Sequence, residues 1–286
     1  MRAPVLLILL LAVLSFLNPY IRRWMSRPAV LFILPGLLTL GFGVLAVAVD
    51  AFSITLILLV LGYSYAPAMA ALYEGAQAPP GWLDFLIILM LWLPLEFSAG
   101  GALVPRPAQG FLHSVAYGVA IILALTIFAG FRGLRGMKFK LPSARDILYG
   151  CVAFLVVAPV LMAGGRLLGF IPPWHLPEHA GAGAMARTFG AIFVGTALPE
   201  EILFRSLIQN WLMLRFGSTN RMLLAAAFIF GCAHLDNGPQ ALPNWRYMIL
   251  ATVAGAAYGK AFQKSESVFS SVTCHALVDA TKHLFF

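Results

Sequence analysis

Long apolar runs separated by short polar segments extend along the whole chain. About 20 apolar residues make a helix long enough to cross a bilayer, and a helix satisfies its own backbone hydrogen bonds inside lipid. The pattern therefore predicts an all-α, polytopic transmembrane helical bundle of about ten spans, or eight to ten if the shortest runs do not cross. The runs lie at about 3–21, 28–49, 51–72, 82–99, 111–131, 147–171, 187–213, 221–235, 245–263 and 267–286.

Composition restricts the class of protein further. Hydrophobic residues make up 61% of the 286 residues and charged residues only 10%, with a mean hydropathy of +0.89. Soluble domains carry ~25% charged residues, so a soluble enzyme, a disordered tail and a disulfide-rich secreted module are excluded. Cys151, Cys232 and Cys274 lie in apolar runs without paired spacing, and we expect them to be packing residues.

The basic residues lie mainly in alternate loops. Twelve of the 19 Lys and Arg residues fall at 22–27, 132–145, 215–221 and 260–264. Under the positive-inside rule, this asymmetry predicts that these loops face the cytoplasm and that both termini lie outside. It also accounts for the net charge of +8, so we expect the lipid bilayer, and not nucleic acid, as the partner of the basic residues.

Segment 131–146 is the predicted domain boundary. It is basic, contains glycine and separates residues 1–146 from residues 147–286. In the first half, His113 begins a run, and Asp84 and Glu96 lie near the ends of one, where interfacial water can solvate them. The first run has no small-residue cleavage site after it, so we interpret it as a retained span.

The second half carries ionisable groups inside its apolar runs, where such groups indicate function. In the segment 199–205, Glu201 and Arg205 are four residues apart and share a helix face, which predicts an ion pair. Glu200 is rotated by about 100° and would remain available. Pro199 removes one backbone donor and can bend the helix before the pair.

Two further pairs have the same four-residue spacing, Phe230 with His234 and His275 with Asp279. Each has a structural alternative, a satisfied core histidine or an interhelical tether. Together with the glutamates, they fit one polar site in which a carboxylate and a histidine activate water and other groups stabilise an oxyanion. Ser206, Ser270 and Ser271 are nearby, but no G-x-S-x-G motif is present.

A zinc-protease pattern, H-x-x-E-H, occurs at His175–His179. Pro172, Pro173 and Pro177 disfavour the helix that would place both histidines on one face. We therefore interpret this segment as an outer loop and not as a metal site.

The motifs Glu-Glu-x-x-x-Arg at 200–205, Phe-x-x-x-His at 230–234 and His-x-x-x-Asp at 275–279, in this order, resemble the CPBP family. These are intramembrane endopeptidases of the CAAX-prenyl-protease type, together with bacteriocin-processing and self-immunity proteins. The resemblance covers about 147–286 as a catalytic transmembrane core. Residues 1–146 are N-terminal transmembrane helices in which we recognise no motif.

The resemblance implies glutamate-type proteolysis. Glu200 would be the general base that activates water, and His234 would orient that water. Phe230 is a weaker candidate for contact with the substrate. The other implied roles are support by Glu201 and Arg205 and an oxyanion site formed by His275 and Asp279.

No cofactor is expected from the resemblance. The alternative is a zinc metalloprotease in which Glu200, His234 and His275 bind the metal. Asp279 occupies a position that is often Asn in the family, and an aspartate donates a hydrogen bond only when protonated. Either Asp279 is a protonated oxyanion donor, which we favour from the sequence, or it is ionised and orients His275.

The resemblance implies a membrane-anchored protein or peptide as substrate, cleaved at a C-terminal anchor, a leader or a CAAX-like end. A multi-pass protein of a prokaryotic cytoplasmic membrane is the expected setting. Two nonproteolytic alternatives remain, a transporter and a catalytically inactive scaffold such as an immunity protein. A transporter would be expected to carry charged groups in both halves of the chain.

Overall fold

The computed structural model describes residues 2–176, 181–238 and 241–286, and in these residues it contains helices and no strand. The chain divides into two compact units, residues 1–135 and 136–286. The first unit holds α1 Arg2–Ser15, α2 Pro19–Met25, α3 Pro28–Ala48, α4 Ile54–Glu74, α5 Trp82–Glu96 and α6 Arg106–Ala124, the last continued by a π-helical segment, Leu125–Phe131. The second unit holds α7 Ala144–Leu167, α8 Ala182–Ile192, α9 Leu198–Glu201, α10 Asn210–Phe216, α11 Asn220–Cys232, α12 Trp245–Lys264 and α13 Phe269–Phe285.

Local sequence signals explain where several helices begin. Ser143 caps α7, because its side chain accepts from the Asp146 backbone N–H while the Asp146 carboxylate accepts from the Ser143 N–H, a capping box. Thr219 caps α11 and Asn244 caps α12 in the simpler way, through one side-chain oxygen. These caps set the start of three helices of the second unit.

Within the described part of the chain, four helices are long and apolar enough to cross a membrane: Pro28–Ala48, Ile54–Glu74, Arg106–Phe131 and Ala144–Leu167. The first two helices of the chain would add a fifth span if they are counted as one. The predicted count of ten is therefore not confirmed. Several apolar runs fold into helices shorter than the ~20 residues that a span requires, including the 15 residues of α5 and the 13 of α11.

The first apolar run is not one straight helix. The two helices Arg2–Ser15 and Pro19–Met25 meet at an angle of 92°. Asn18 caps the second helix by accepting from the Tyr20 backbone N–H, and Pro19 occupies its first turn. Because proline has no backbone donor, it fits the start of a helix but not its interior, and the chain turns here.

A buried ion pair stabilises the first unit. The Arg132 guanidinium donates through Nε and Nη2 to the two oxygens of Asp84, each at 2.8 Å, and both side chains are fully buried. Arg132 Nη1 also donates to the Gly75 carbonyl oxygen. The prediction that interfacial water solvates Asp84 is wrong, because a bidentate arginine takes the place of water.

In the second unit, residues 182–216 form one helical run whose geometry changes repeatedly. Two π-helical segments, Phe193–Ala197 and Ile202–Gln209, flank the four-residue helix α9, which carries Pro199, Glu200 and Glu201. Such π segments within α-helices are frequent at functional sites. Beside this run, α12 packs against α7, α11 and α13.

The helices α11 and α12 approach closely at Gly231. A Cβ atom added to Gly231 would collide with Thr252 Oγ1 and the Met248 carbonyl oxygen. Small residues allow this kind of close helix contact in membrane proteins. The contact positions the end of α11, which leads directly into His234.

Candidate active site

The structure brings the predicted polar residues of three separate segments together. Glu200 and Glu201 lie on α9, and His234 lies in the turn that follows α11. His275 and Asp279 lie one turn apart on α13. His275 is at the centre of this group, since it contacts carboxylates of both α9 and α13.

Glu201 and Arg205 form the ion pair that their spacing predicts. Arg205 Nε donates to Glu201 Oε2 at 3.0 Å, and neither side chain is exposed. Arg205 Nη1 also donates to Gln209 Oε1 at 3.2 Å, and Gln209 Nε2 donates to the Gly259 carbonyl on α12 at 3.0 Å. This chain of contacts fixes Glu201 and ties the π-helical segment to α12.

The imidazole of His275 is held by its Nδ1 atom. Nδ1 lies 3.0 Å from Glu201 Oε1, and because a carboxylate oxygen only accepts, Nδ1 carries the hydrogen. One face of the ring stacks on Tyr258, with centroids 4.6 Å apart and an interplanar angle of 15°. Together these contacts define where Nε2 points.

The Nε2 atom of His275 faces the two remaining carboxylates. Asp279 Oδ2 lies 3.4 Å away and Glu200 Oε2 lies 3.9 Å away. The Glu200 side chain is 26% exposed, whereas that of Glu201 is fully buried. The two adjacent glutamates therefore differ in exposure, although the Glu200 Oε2 atom that faces His275 is buried.

Aromatic rings and one backbone oxygen position His234. Its Nδ1 lies 2.8 Å from the Phe230 carbonyl oxygen, which can only accept, so Nδ1 is the donor. The ring lies edge-on to Tyr247 at 4.6 Å and tilted against Phe230 at 4.7 Å. Nε2 is thereby left as the nitrogen that can accept a hydrogen bond.

Phe230 is an almost fully buried ring that contacts both histidines. The Arg205 guanidinium carbon lies 5.1 Å from its centroid, within cation–π range. In the described contacts, the Phe230 ring packs against both histidine rings. Its contact with a substrate stays a prediction.

Sequence reasoning did not single out Tyr247 and Tyr258, which pack on His234 and His275. They are eleven residues apart on α12, and eleven residues make about three helical turns, which returns to the same face. The i, i+4, i+7 spacing of His275, Asp279 and Lys282 on α13 is a similar signal. Either spacing points to further site residues on the same helix face, once one residue of the helix has been assigned to the site.

A small cavity of about 80 Å³ adjoins these residues. Because one water occupies ~30 Å³ of the liquid, the cavity has room for about two to three waters. His234, His275, Asp279, Tyr247, Tyr258 and Lys282 contribute its polar lining. Apolar side chains of α7 and α12 enclose the remainder, which reduces the dielectric screening of charges at the site.

The zinc alternative does not fit the arrangement of donors. Within residues 2–176, 181–238 and 241–286, no three His, Cys, Asp or Glu side chains are placed to hold one metal ion. His275 directs both ring nitrogens at carboxylates, Nδ1 at Glu201 and Nε2 at Asp279. The H-x-x-E-H pattern is only partly covered, because Glu178 and His179 lie outside the described residues.

The three serines near the motifs have other partners. Ser206 Oγ donates to the Met137 carbonyl at 2.6 Å, and Ser271 Oγ donates to the Val268 carbonyl at 2.8 Å. Ser270 Oγ lies 2.6 Å from Ser265 Oγ and donates to the Ser267 carbonyl. Each hydroxyl thus donates to a backbone carbonyl, which gives no support to a serine nucleophile.

Comparison with known proteins identifies the segment that carries the site. Residues 183–281 match the family model described as type II CAAX prenyl endopeptidase Rce1-like. The resemblance drawn from the three motifs is thereby confirmed over about a third of the chain. No curated protein and no solved structure matches the chain.

The Rce1-like segment contains every residue assigned to the candidate site from the sequence. It begins on α8 and ends on α13, so it also includes the two π-helical segments and α12. The apolar helices of the chain and this match support a membrane protein. The match ends one residue before Lys282.

Proposed function

We propose that the chain is an intramembrane endopeptidase that hydrolyses a peptide bond of a membrane-associated substrate with a water activated by Glu200. The observation that supports this most strongly is the position of His275, between Glu201 on one side and Glu200 and Asp279 on the other. A histidine so placed, beside a cavity for water, suits proton transfer and transition-state stabilisation. The Rce1-like family match points to the same class of reaction.

Glu200 is the general base in this proposal. It is the more exposed of the two glutamates, whereas Arg205 neutralises the buried Glu201. Its carboxylate would accept a proton from water as the water attacks the scissile carbonyl, and would return that proton to the amine nitrogen as the C–N bond breaks. His234, which lines the cavity beside His275, would accept a hydrogen bond from that water through Nε2 and fix its orientation.

Asp279 orients His275 rather than donating to the oxyanion. Its Oδ2 lies 3.4 Å from His275 Nε2, a geometry in which an ionised carboxylate accepts from the ring. This favours the second of the two alternatives that the sequence left open. Because Nδ1–H is donated to Glu201, the Nε2–H is the ring hydrogen left for the developing oxyanion, and it would turn from Asp279 to that oxygen as the negative charge forms.

The proposed substrate is a membrane-anchored protein or peptide, cleaved near a C-terminal anchor, a leader or a CAAX-like end. Apolar side chains of α7 and α12 line much of the cavity, and a low-dielectric lining strengthens electrostatic stabilisation at the site. A prokaryotic cytoplasmic membrane, with the basic loops on its inner side, is the proposed location.

The test uses purified protein in lipid vesicles with a membrane-anchored peptide substrate, and mass spectrometry identifies the fragments. We expect wild type and Glu266→Gln to cleave, since Glu266 is an exposed glutamate outside the site. Glu200→Gln should fold normally and lose at least about 100-fold in kcat, the scale of a removed general base. Undiminished cleavage by Glu200→Gln would contradict the assignment, and a wild type that binds the peptide without cleaving it would favour a scaffold.

A further inference from the structure

The first unit contains a cavity that has no part in the proposed reaction. Its volume is about 800 Å³, and its lining residues come from α3, α4, α5, α6 and the loop before α6. Ligand sites typically measure ~300–1,000 Å³ and combine an apolar lining with a few polar groups. The larger apolar side chains of the wall include Phe42, Leu56, Leu59, Val60, Met90 and Leu95.

Two glycines in the lining leave space that a side chain would fill. A Cβ atom added to Gly62 on α4, or to Gly110 on α6, would meet no atom within 4 Å. Helix interiors disfavour glycine, and neither of these two mediates a close helix contact of the kind seen at Gly231. Both glycines are exposed, so the cavity opens to the surroundings of the unit. Since three of the four candidate spans belong to this unit, those surroundings are lipid.

Polar side chains lie where α6 begins. Gln109 lines the cavity, and its Nε2 donates to the carbonyl oxygens of Gly101 and Val104 at 3.2 and 3.0 Å. These bonds hold the loop before α6 against the helix. His113 also lines the cavity, and Arg106 lies seven residues earlier, two turns away on the same helix face.

Arg106 and His113 have unused hydrogen-bond donors or acceptors. Arg106 is exposed, and no carboxylate in the described part of the chain lies within 4.0 Å of its guanidinium. The described contact of His113 is with the ring of Tyr117, at 5.2 Å between centroids, and it uses neither ring nitrogen. No aspartate or glutamate is among the described residues of the lining. The cavity therefore combines an apolar wall with an uncompensated cation beside one end.

We propose that this cavity binds one anionic phospholipid, with an acyl chain along the apolar wall and the phosphate near Arg106 and His113. A guanidinium matches the geometry and charge of a phosphate, and basic sites between membrane helices suit lipid head groups. A zwitterionic lipid would bring its own cation close to Arg106, with no carboxylate of the described lining to offset it. The inference gives the first unit a lipid-binding role that does not depend on peptide cleavage.

The experiment measures lipid binding to the purified, delipidated full chain by native mass spectrometry in detergent. Phosphatidylglycerol and phosphatidylcholine with identical acyl chains are the two probes. Gly110→Leu fills the cavity from α6, and Gly62→Leu fills it from α4. Gly41→Leu on α3 is the matched control, because a Cβ atom there also meets nothing within 4 Å and Gly41 is not among the described lining residues.

We expect wild type and Gly41→Leu to bind one phosphatidylglycerol about tenfold more tightly than phosphatidylcholine, the scale of one hydrogen bond to a charged group. Gly110→Leu and Gly62→Leu should bind it at least about tenfold more weakly, while unfolding at or above the Tm of lipid-free wild type. Phosphatidylglycerol should raise the Tm of wild type and not that of the filled variants, because a ligand that binds only the folded state stabilises it. Arg106→Gln should bind the two lipids equally.

Three results would overturn the inference. Filled variants that bind phosphatidylglycerol as tightly as wild type would show that the lipid lies elsewhere on the surface. Equal affinity of wild type for the two lipids would remove the role of Arg106, and this comparison stands even if a filled variant fails to fold. Displacement of phosphatidylglycerol by an isoprenyl phosphate at a tenfold lower concentration would show that the occupant is not a phospholipid. Because the readout is binding, each result leaves the peptidase proposal untouched.

Discussion

The buried Glu201–Arg205 pair allows the sharpest prediction about stability. In Arg205→Met, Glu201 remains buried and keeps only the His275 contact among the described ionic partners. In Glu201→Gln, the fully buried guanidinium loses its carboxylate. Both single variants leave one uncompensated charge in the interior, whereas the double variant leaves none from this pair.

The magnitude follows from the geometry. Two unit charges 3.0 Å apart attract by about 5–6 kcal/mol at an effective dielectric constant of ~20. Breaking a buried pair by removing one partner costs about 3–5 kcal/mol of stability. Arg205→Met also removes the donor to Gln209 Oε1, so we expect it to be the more destabilising single variant.

The assay is reversible unfolding in detergent of four proteins: wild type, Arg205→Met, Glu201→Gln and the double variant that carries both substitutions. Together they form a double-mutant cycle. We expect the double variant to lose about 2–3 kcal/mol less unfolding free energy than the two single losses added together. Because independent sites add within ~0.5 kcal/mol, a difference of this size would show that the two residues are coupled. Glu200→Gln is the matched control and should unfold like wild type. Additive single effects, or a Glu200→Gln variant as unstable as Glu201→Gln, would refute the assigned roles.

Three further outcomes are expected. With the native cysteines replaced, Lys140→Cys and His175→Cys should be labelled from opposite sides of the membrane; labelling from the same side would contradict the topology. Activity should survive chelators, and zinc that is stoichiometric and lost together with activity would reverse our preference for a metal-free site. Asp279→Asn should lower kcat/KM by about tenfold or more at every pH, because it weakens the acceptor that orients His275. Preserved activity, with only a change at high pH, would show that Asp279 acts as a protonated donor.

The parts of the site that local geometry determines could be predicted from the sequence. Glu201 with Arg205, and His275 with Asp279, are four residues apart on helices, and both pairs are in contact. The contact between Glu201 and His275 joins residues 74 positions apart. The sequence predicts that the glutamates and histidines share one polar site, but only tertiary packing decides that Glu201 is the partner of His275.

The fold was predictable at the level of its class. Hydropathy predicts helices and their approximate positions, but it does not show where a run bends or shortens. Proline at position 19 was visible in the sequence, yet the 92° bend depends on how the neighbouring helices pack. The pairing of Asp84 with Arg132, 48 residues apart, reversed the expected solvation of Asp84 for the same reason.

The central claim, that Glu200 activates a water that attacks the peptide bond directly, is tested by a single turnover in H₂¹⁸O with acid quenching and intact-mass analysis. We predict one ¹⁸O atom in the new C-terminal carboxylate of the product and no covalent adduct on the protein at any time. An acyl adduct that forms and decays at the rate of turnover, on Ser206, Ser271 or any other side chain, would contradict the account.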